Sequence, residues 1–171
     1  MRKYILSFCL IFAGIIGMNA QKFATVDMGY IMKNIPAYES ANEQLQEVSK
    51  KWQSEVDAQM KEVQQMYKNY QTELVFMSEE MKVKREDEIV AKEKAAQELK
   101  RKYFGPDGEL FKKRESLIKP IQDDVYNAIK DISTAKGLDL VVDKSSAMSA
   151  IFVSQKLDIS DEVLKKLGYS K

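Results

Sequence analysis

The sequence predicts an α+β fold: a long antiparallel helical hairpin, coiled-coil-like, standing on a small β-rich body. Three observations predict it. The 68 residues from Ala37 to Phe104 contain no glycine or proline and are rich in Glu, Lys, Gln, Ala, Met and Leu. The helix breakers Pro36 and Gly105 therefore fall only at the borders. Within the stretch, Tyr38, Ala41, Leu45, Val48, Trp52, Val56, Met60, Val63, Tyr67, Tyr70, Leu74, Met77 and Met81 recur at gaps of three or four, on one narrow helical stripe. Short β-type runs flank the helical region, one before and two after, and they meet only if the helix doubles back.

Taken in order, residues 1–20 have the pattern of an export signal. Arg2 and Lys3 form a charged start, Tyr4 to Ile16 an apolar run, and Gly17-Met18-Asn19-Ala20 a small and polar exit, with cleavage expected after Ala20. An uncleaved membrane anchor is the alternative, although the apolar run is short for a span. Residues 21–36 and 137–171 are assigned to the body, and 37–136 to the arm. Lys22 to Asp27 reads as a strand. Met28 to Asn34 reads as a short helix capped by Asp27, with Tyr30, Ile31 and Ile35 facing inward.

The arm's tip is placed near residues 72–80, because Ser78 followed by Glu79 and Glu80 suits a helix start. The apolar spacing runs on through Leu74, Met77 and Met81, so periodicity also allows one unbroken rod of about 100 Å. Acid-to-base pairs four residues apart (Glu47–Lys51, Asp57–Lys61, Glu80–Lys84, Glu88–Lys92, Glu98–Lys102) add support to a solvated helix. Gly105-Pro106-Asp107-Gly108 breaks the returning helix. Helical spacing resumes from Leu110 to Ile132, with Pro120 bending or restarting it, and Lys136-Gly137 closes it. Leu138 to Asp143 and Ala150 to Val153 read as strands, and Val163 to Leu167 as a last short helix capped by Ser160.

Charge and residue usage exclude much chemistry. The formal net charge is +1; loss of Arg2 and Lys3 with the signal leaves 25 bases against 26 acids. Near-neutrality and the lack of any binding motif argue against nucleic acid. The chain has no histidine, and its single cysteine, Cys9, lies in the signal, so the usual imidazole and thiolate metal ligands are missing. No motif supplies a base for a nucleophile or a glycine-rich phosphate loop. The expectation is no enzyme activity, no cofactor and no metal.

Two surfaces are candidate interaction sites. At the tip, Met66, Tyr67, Tyr70, Leu74, Val75, Phe76, Met77, Met81 and Val83 supply more apolar surface than one stripe hides. Packing across the hairpin accounts for Tyr70, Leu74, Met77 and Met81, whereas Val75 and Phe76 lie off the stripe. The second is a basic cluster, Lys100, Arg101, Lys102, Lys112, Lys113 and Arg114, on either side of the break. From Ala96 to Lys119 there are seven bases and four acids, a weak positive field that an ordinary solvated helix face would also show.

The order of parts resembles the Skp/OmpH family of periplasmic chaperones. The resemblance is carried by Phe23-Ala24-Thr25-Val26-Asp27, by Met77-Ser78-Glu79-Glu80 at the tip and by Ile118-Lys119-Pro120-Ile121. Lys136 to Asp143 (KGLDLVVD) and the ending Leu164-Lys165-Lys166-Leu167-Gly168-Tyr169 complete it. It implies a jellyfish-like homotrimer whose arms enclose unfolded outer-membrane proteins in the periplasm without ATP. Met66, Tyr67, Val75, Phe76, Met77, Met81 and Val83 would then contact the client. Phe23, Val26, Leu140, Val141, Val142, Ile151, Phe152 and Val153 would build the shared body. Contact of the tips with a membrane stays open. The competing reading is a coiled-coil spacer or adaptor of the cell envelope with no affinity for unfolded chains.

Overall fold

The computed structural model describes residues 21–146 and 151–169. The expected export signal and Ala150 lie outside the described residues. The order of elements is β1 (Phe23–Val26), α1 (Met28–Lys33), α2 (Pro36–Glu73), a 3-10 turn (Leu74–Phe76), α3 (Glu79–Phe104), α4 (Glu109–Lys136) and β2 (Leu140–Asp143). A second 3-10 turn (Gln155–Leu157) and α5 (Ser160–Lys166) follow. The described residues form two compact units: one is Met32–Val125, and the other joins residues 21–31 to residues 126–146 and 151–169.

In the second of these, β1 and β2 pair in parallel, with Phe23 opposite Leu140 and Val26 opposite Asp143. The other edge of β1 bridges Asp158, whose neighbour Ile159 donates its N–H to the Thr25 carbonyl at 2.9 Å. A strand with neighbours on both edges has its backbone groups satisfied, and Ala24, Thr25 and Val26 are all buried. Ile31, Ala128, Ile132, Ile159, Val163 and Leu164 complete this core.

A polar network fixes where the strands end. Asp27 accepts the Tyr30 N–H at 2.8 Å and so caps α1, while its own N–H donates to Ser160 Oγ at 2.8 Å. The Ser160 hydroxyl donates to Asp158 Oδ1 at 2.6 Å, and Lys144 Nζ reaches Asp158 Oδ2 at 2.6 Å and Asp27 Oδ2 at 3.8 Å. Asp143 gathers the N–H groups of Met28 and Ser145. Burial alone would raise the Asp158 carboxyl, but the hydrogen bonds from Lys144 and Ser160 outweigh it and hold it below the ordinary value.

Three expectations are corrected here. Ser160 is the first residue of α5 rather than its cap, because its hydroxyl is held by Asp27 and Asp158. Tyr30 faces outward, 38% exposed, with its hydroxyl on Asp161. Ile151 to Val153 form no strand, and Ile151 and Phe152 are exposed. This run pairs with neither strand of the described sheet, and strand-forming side chains do not by themselves supply a pairing partner.

In the Met32–Val125 unit, Pro36 starts α2, where its missing N–H costs nothing. The chain reverses through Leu74–Phe76, and Ser78 Oγ accepts the Met81 N–H at 3.3 Å to cap α3. Contacts across the two helices run in opposite order. Trp52 stacks on Tyr103 with centroids 4.7 Å apart, and the Tyr103 hydroxyl donates to Glu55 at 2.6 Å. Further along, Lys92 pairs with Glu62 at 2.7 Å, Tyr70 with Glu86, and Arg85 with Glu73 at 3.8 Å. The helices are therefore antiparallel neighbours. None of the five expected pairs within one helix closes among the described residues; Lys92 prefers Glu62 on α2 to Glu88 on its own helix.

The break at Gly105-Pro106-Asp107-Gly108 is tightly built. The Gly105 N–H caps Arg101, and the Gly108 N–H returns to the Gly105 carbonyl at 2.9 Å. A Cβ on Gly105 would lie 2.4 Å from the Arg101 oxygen, and one on Gly108 would lie 2.8 Å from the Tyr103 oxygen. Helix α4 then runs unbroken through Pro120 to Lys136, and Gly137, at φ 62°, lets Leu138 bond back to Ser133 at 2.9 Å.

Two outcomes test this account. Gly108→Ala is expected to cost about 1–3 kcal/mol, seen as a lower thermal midpoint by circular dichroism; an unchanged midpoint would mean the turn shifts freely. The depressed Asp158 carboxyl contributes stability that is present above its ordinary pKa of about 4 and lost as pH falls through the lower folded value. Asp158→Asn is therefore expected to be less stable than the parent at neutral pH and to converge with it in acid in urea unfolding. Parallel curves would remove the charge from the explanation.

Candidate functional site

The seam between α2 and α3 decides which tip residues are free. On α3 it runs through Lys82, Arg85, Ile89, Lys92, Ala96, Leu99 and Tyr103, of which Ile89 and Ala96 are buried and the rest half-buried. Three of these are basic, and their aliphatic stems occupy seam positions while their charges reach carboxylates at the rim. Facing them, Val56 and Val63 of α2 are buried. Beyond Val63 and before Ile89 no side chain is fully buried.

Towards the turn the apolar residues therefore divide. Met66, Tyr70 and Met77 are half-buried, and Tyr67 is exposed. Leu74 and Met81, expected to be packed away, are 38% and 55% exposed, because the seam ends before it can cover them. Val83 is exposed, and Val75 and Phe76 stand 85% and 88% exposed. The 3-10 turn points these two adjacent side chains away from both helices, since neither helix extends past them. The turn thus presents an apolar patch of Leu74, Val75, Phe76, Met81 and Val83.

The hydroxyls of Tyr70 and Tyr103 staple the pair without filling it. Each donates to a carboxylate on the other helix, Glu86 and Glu55 respectively, and those hydrogen bonds hold both phenols above their ordinary pKa. Val90 is also exposed, on the flank of α3.

All six residues of the basic cluster are exposed. Arg101, Lys102 and Lys112 border the cleft at the break together with Glu98, Asp107 and Glu109, and Lys102 lies 5.8 Å above the Tyr103 ring. Lys113 and Arg114, with Lys112 from its other side, open onto α2 beside Lys50, Lys51 and Trp52, a grouping that no sequence spacing signals. Of the body candidates, Val26 is buried in its own unit. Val141, Val142 and Val153 are half-buried, and Phe23, Leu140, Ile151 and Phe152 are exposed. Among the described residues no cluster of three His, Cys, Asp or Glu side chains is placed to hold a metal ion.

The protein family described as outer membrane protein (OmpH-like) matches residues 22–167. Among solved structures, a crystal structure from Caulobacter crescentus CB15, provisionally designated an outer membrane chaperone (OmpH-like), is similar with a TM-score of 0.66. The two chains are 12% identical over 88% of this chain and 86% of that one, so the likeness speaks for the fold. No curated protein matches the chain.

Because Val75 and Phe76 cover nothing, replacing both with serine is expected to leave unfolding free energy within about 0.5 kcal/mol of the parent. Val63→Ala, in the buried seam, is expected to destabilise measurably in the same urea titration. Equal losses from the two variants would place the turn residues in a packed site.

Proposed function

Because the chain belongs to the OmpH-like outer membrane protein family, we propose that it is an ATP-independent holding chaperone of the periplasm. It binds unfolded outer-membrane proteins and keeps them from aggregating. The observation that carries this reading is the exposed pair Val75–Phe76 at the turn between two antiparallel helices. An apolar patch at that position is free to meet the apolar side chains of an unfolded chain, and the adjoining methionines adapt to varied sequence. Met66, Tyr67, Met77, Met81 and Val83 widen the same surface.

The protein works as a homotrimer in this reading. The exposed side chains of Phe23, Leu140, Ile151 and Phe152, in a unit whose sheet has two strands among the described residues, suit a shared body. Three arms would hold one client by several weak contacts, which raises effective concentration while letting each contact release without an energy source. The pattern of residues 1–20 supports export to the compartment where such clients pass.

The test is aggregation of a urea-diluted outer-membrane β-barrel, followed by light scattering, with the molar mass of the protein measured in parallel. The expected result is suppression by a trimer without ATP. Val75→Ser with Phe76→Ser should require on the order of tenfold more protein for the same effect, equivalent to roughly 1.4 kcal/mol of lost apolar contact. An oligomer that leaves aggregation unchanged would favour the envelope spacer.

A further inference from the structure

The first turns of α4 lie along α2 within the Met32–Val125 unit, and a groove opens on each side of the contact. One groove carries Lys50 and Arg114 with the side-chain amides of Gln46 and Gln53, and no acidic residue lines it. The other, of about 590 Å³, carries Lys51, Lys112 and Lys113 beside Trp52 and Val48. Across both, five bases meet a single carboxylate, Glu109, which is already engaged with Lys112 at 3.2 Å. Lys50, Lys51, Lys113 and Arg114 have no ion pair among the described residues. Even Glu47, one turn before Lys51, makes none with it.

We propose that these grooves hold an acidic stretch of extended polypeptide, as a contact zone separate from the apolar turn. The inference rests on the reading that the protein holds unfolded chains. Charge complementarity sets the sign of the occupant, because unpaired lysine and arginine side chains form short charge-assisted hydrogen bonds with carboxylates. Layout sets its form. The bases are strung along α4 and α2 rather than gathered about a point, and Glu109 to Ser116 spans about 10 Å, the reach of about three extended residues. The side-chain amide of Gln46 and the carbonyl oxygen of Gln53, whose Nε2 donates to Asp57 at 2.8 Å, suit a peptide backbone. The exposed part of Trp52 with Val48 accepts an apolar side chain between acidic ones.

Trp52 is the only tryptophan in the chain, so its fluorescence reports this place directly. The intact protein is titrated with poly-L-glutamate at neutral pH. A saturable change is expected at about 20 mM salt and is lost by about 300 mM. Lys51→Glu with Lys113→Glu should weaken the affinity on the order of tenfold or more, with Lys51→Gln and Lys113→Gln losing less. Circular dichroism and molar mass report on folding, and the glutamine pair decides the matter if the charge-reversed protein misfolds. Val75→Ser with Phe76→Ser should bind poly-L-glutamate as the parent does. No saturable response, affinity unchanged in the variants, or a response only to phosphatidylglycerol vesicles would each overturn the proposal. A protein that suppresses β-barrel aggregation but ignores poly-L-glutamate would lose this site and keep the holding function. One that binds poly-L-glutamate without suppressing aggregation would keep the site and lose that function.

Discussion

Two neighbouring parallel strands cannot be joined by a tight turn, and this constraint organises the whole chain. β1 and β2 pair in parallel, so everything from Asp27 to Asp139 is their connection. Most such connections are a single helix of modest length. Here the connection is three long helices, with a reversal at Leu74–Ser78 and a break at Gly105–Gly108. What fixes its departure and return is the polar cluster of Asp27, Asp143, Lys144, Asp158 and Ser160, which ties the ends of both strands to the starts of α1 and α5.

Much of this was legible in the sequence because local chemistry dictates it. A run without Gly or Pro gives a helix, a serine before two glutamates starts one, and glycine after a basic last turn ends one. Each of these signals acts within a few residues. The seam of α3 was not legible, because Lys82, Arg85 and Lys92 sit where a hydropathy pattern looks for apolar residues. The ion pairs within single helices were likewise misplaced: proximity in sequence competes with proximity across the pair, and Glu62 wins Lys92. Ile151 to Val153 carry strand-forming side chains, yet a strand also needs a pairing partner, and composition does not name one. Val75 and Phe76 could be picked out because they fall off the stripe. Lys50, Lys51 and Trp52 could not be joined to Lys113 and Arg114, since only the placement of α4 along α2 brings them together.

The arrangement also grades stability along the helix pair. Near the break, Trp52 and Tyr103 stack and Val56 and Ala96 are buried. Towards the turn, the last fully buried side chains are Val63 and Ile89, and beyond them the pair is held by Tyr70 with Glu86 and by Arg85 with Glu73. Such solvent-exposed polar contacts contribute little each. The turn therefore belongs to the least protected part of the unit, where local opening is easiest. Its apolar residues can adjust to what they meet without disturbing the buried seam, and half-buried Met66 and Met77 add to the exposed surface whenever the end frays.

The cross-contacts also imply an order of assembly. From the turn outward their sequence separations lengthen steadily: 12 residues for Glu73 and Arg85, 16 for Tyr70 and Glu86, 30 for Glu62 and Lys92, 48 for Glu55 and Tyr103. The strands close last, across a separation of 117 residues from Phe23 to Leu140. Loop-closure entropy rises with separation, so each contact, once made, shortens the loop left for the next. A chain wired in this way closes like a zipper from the far end. The two halves of the sheet, which have no short loop to bring them together, inherit their encounter from the helices.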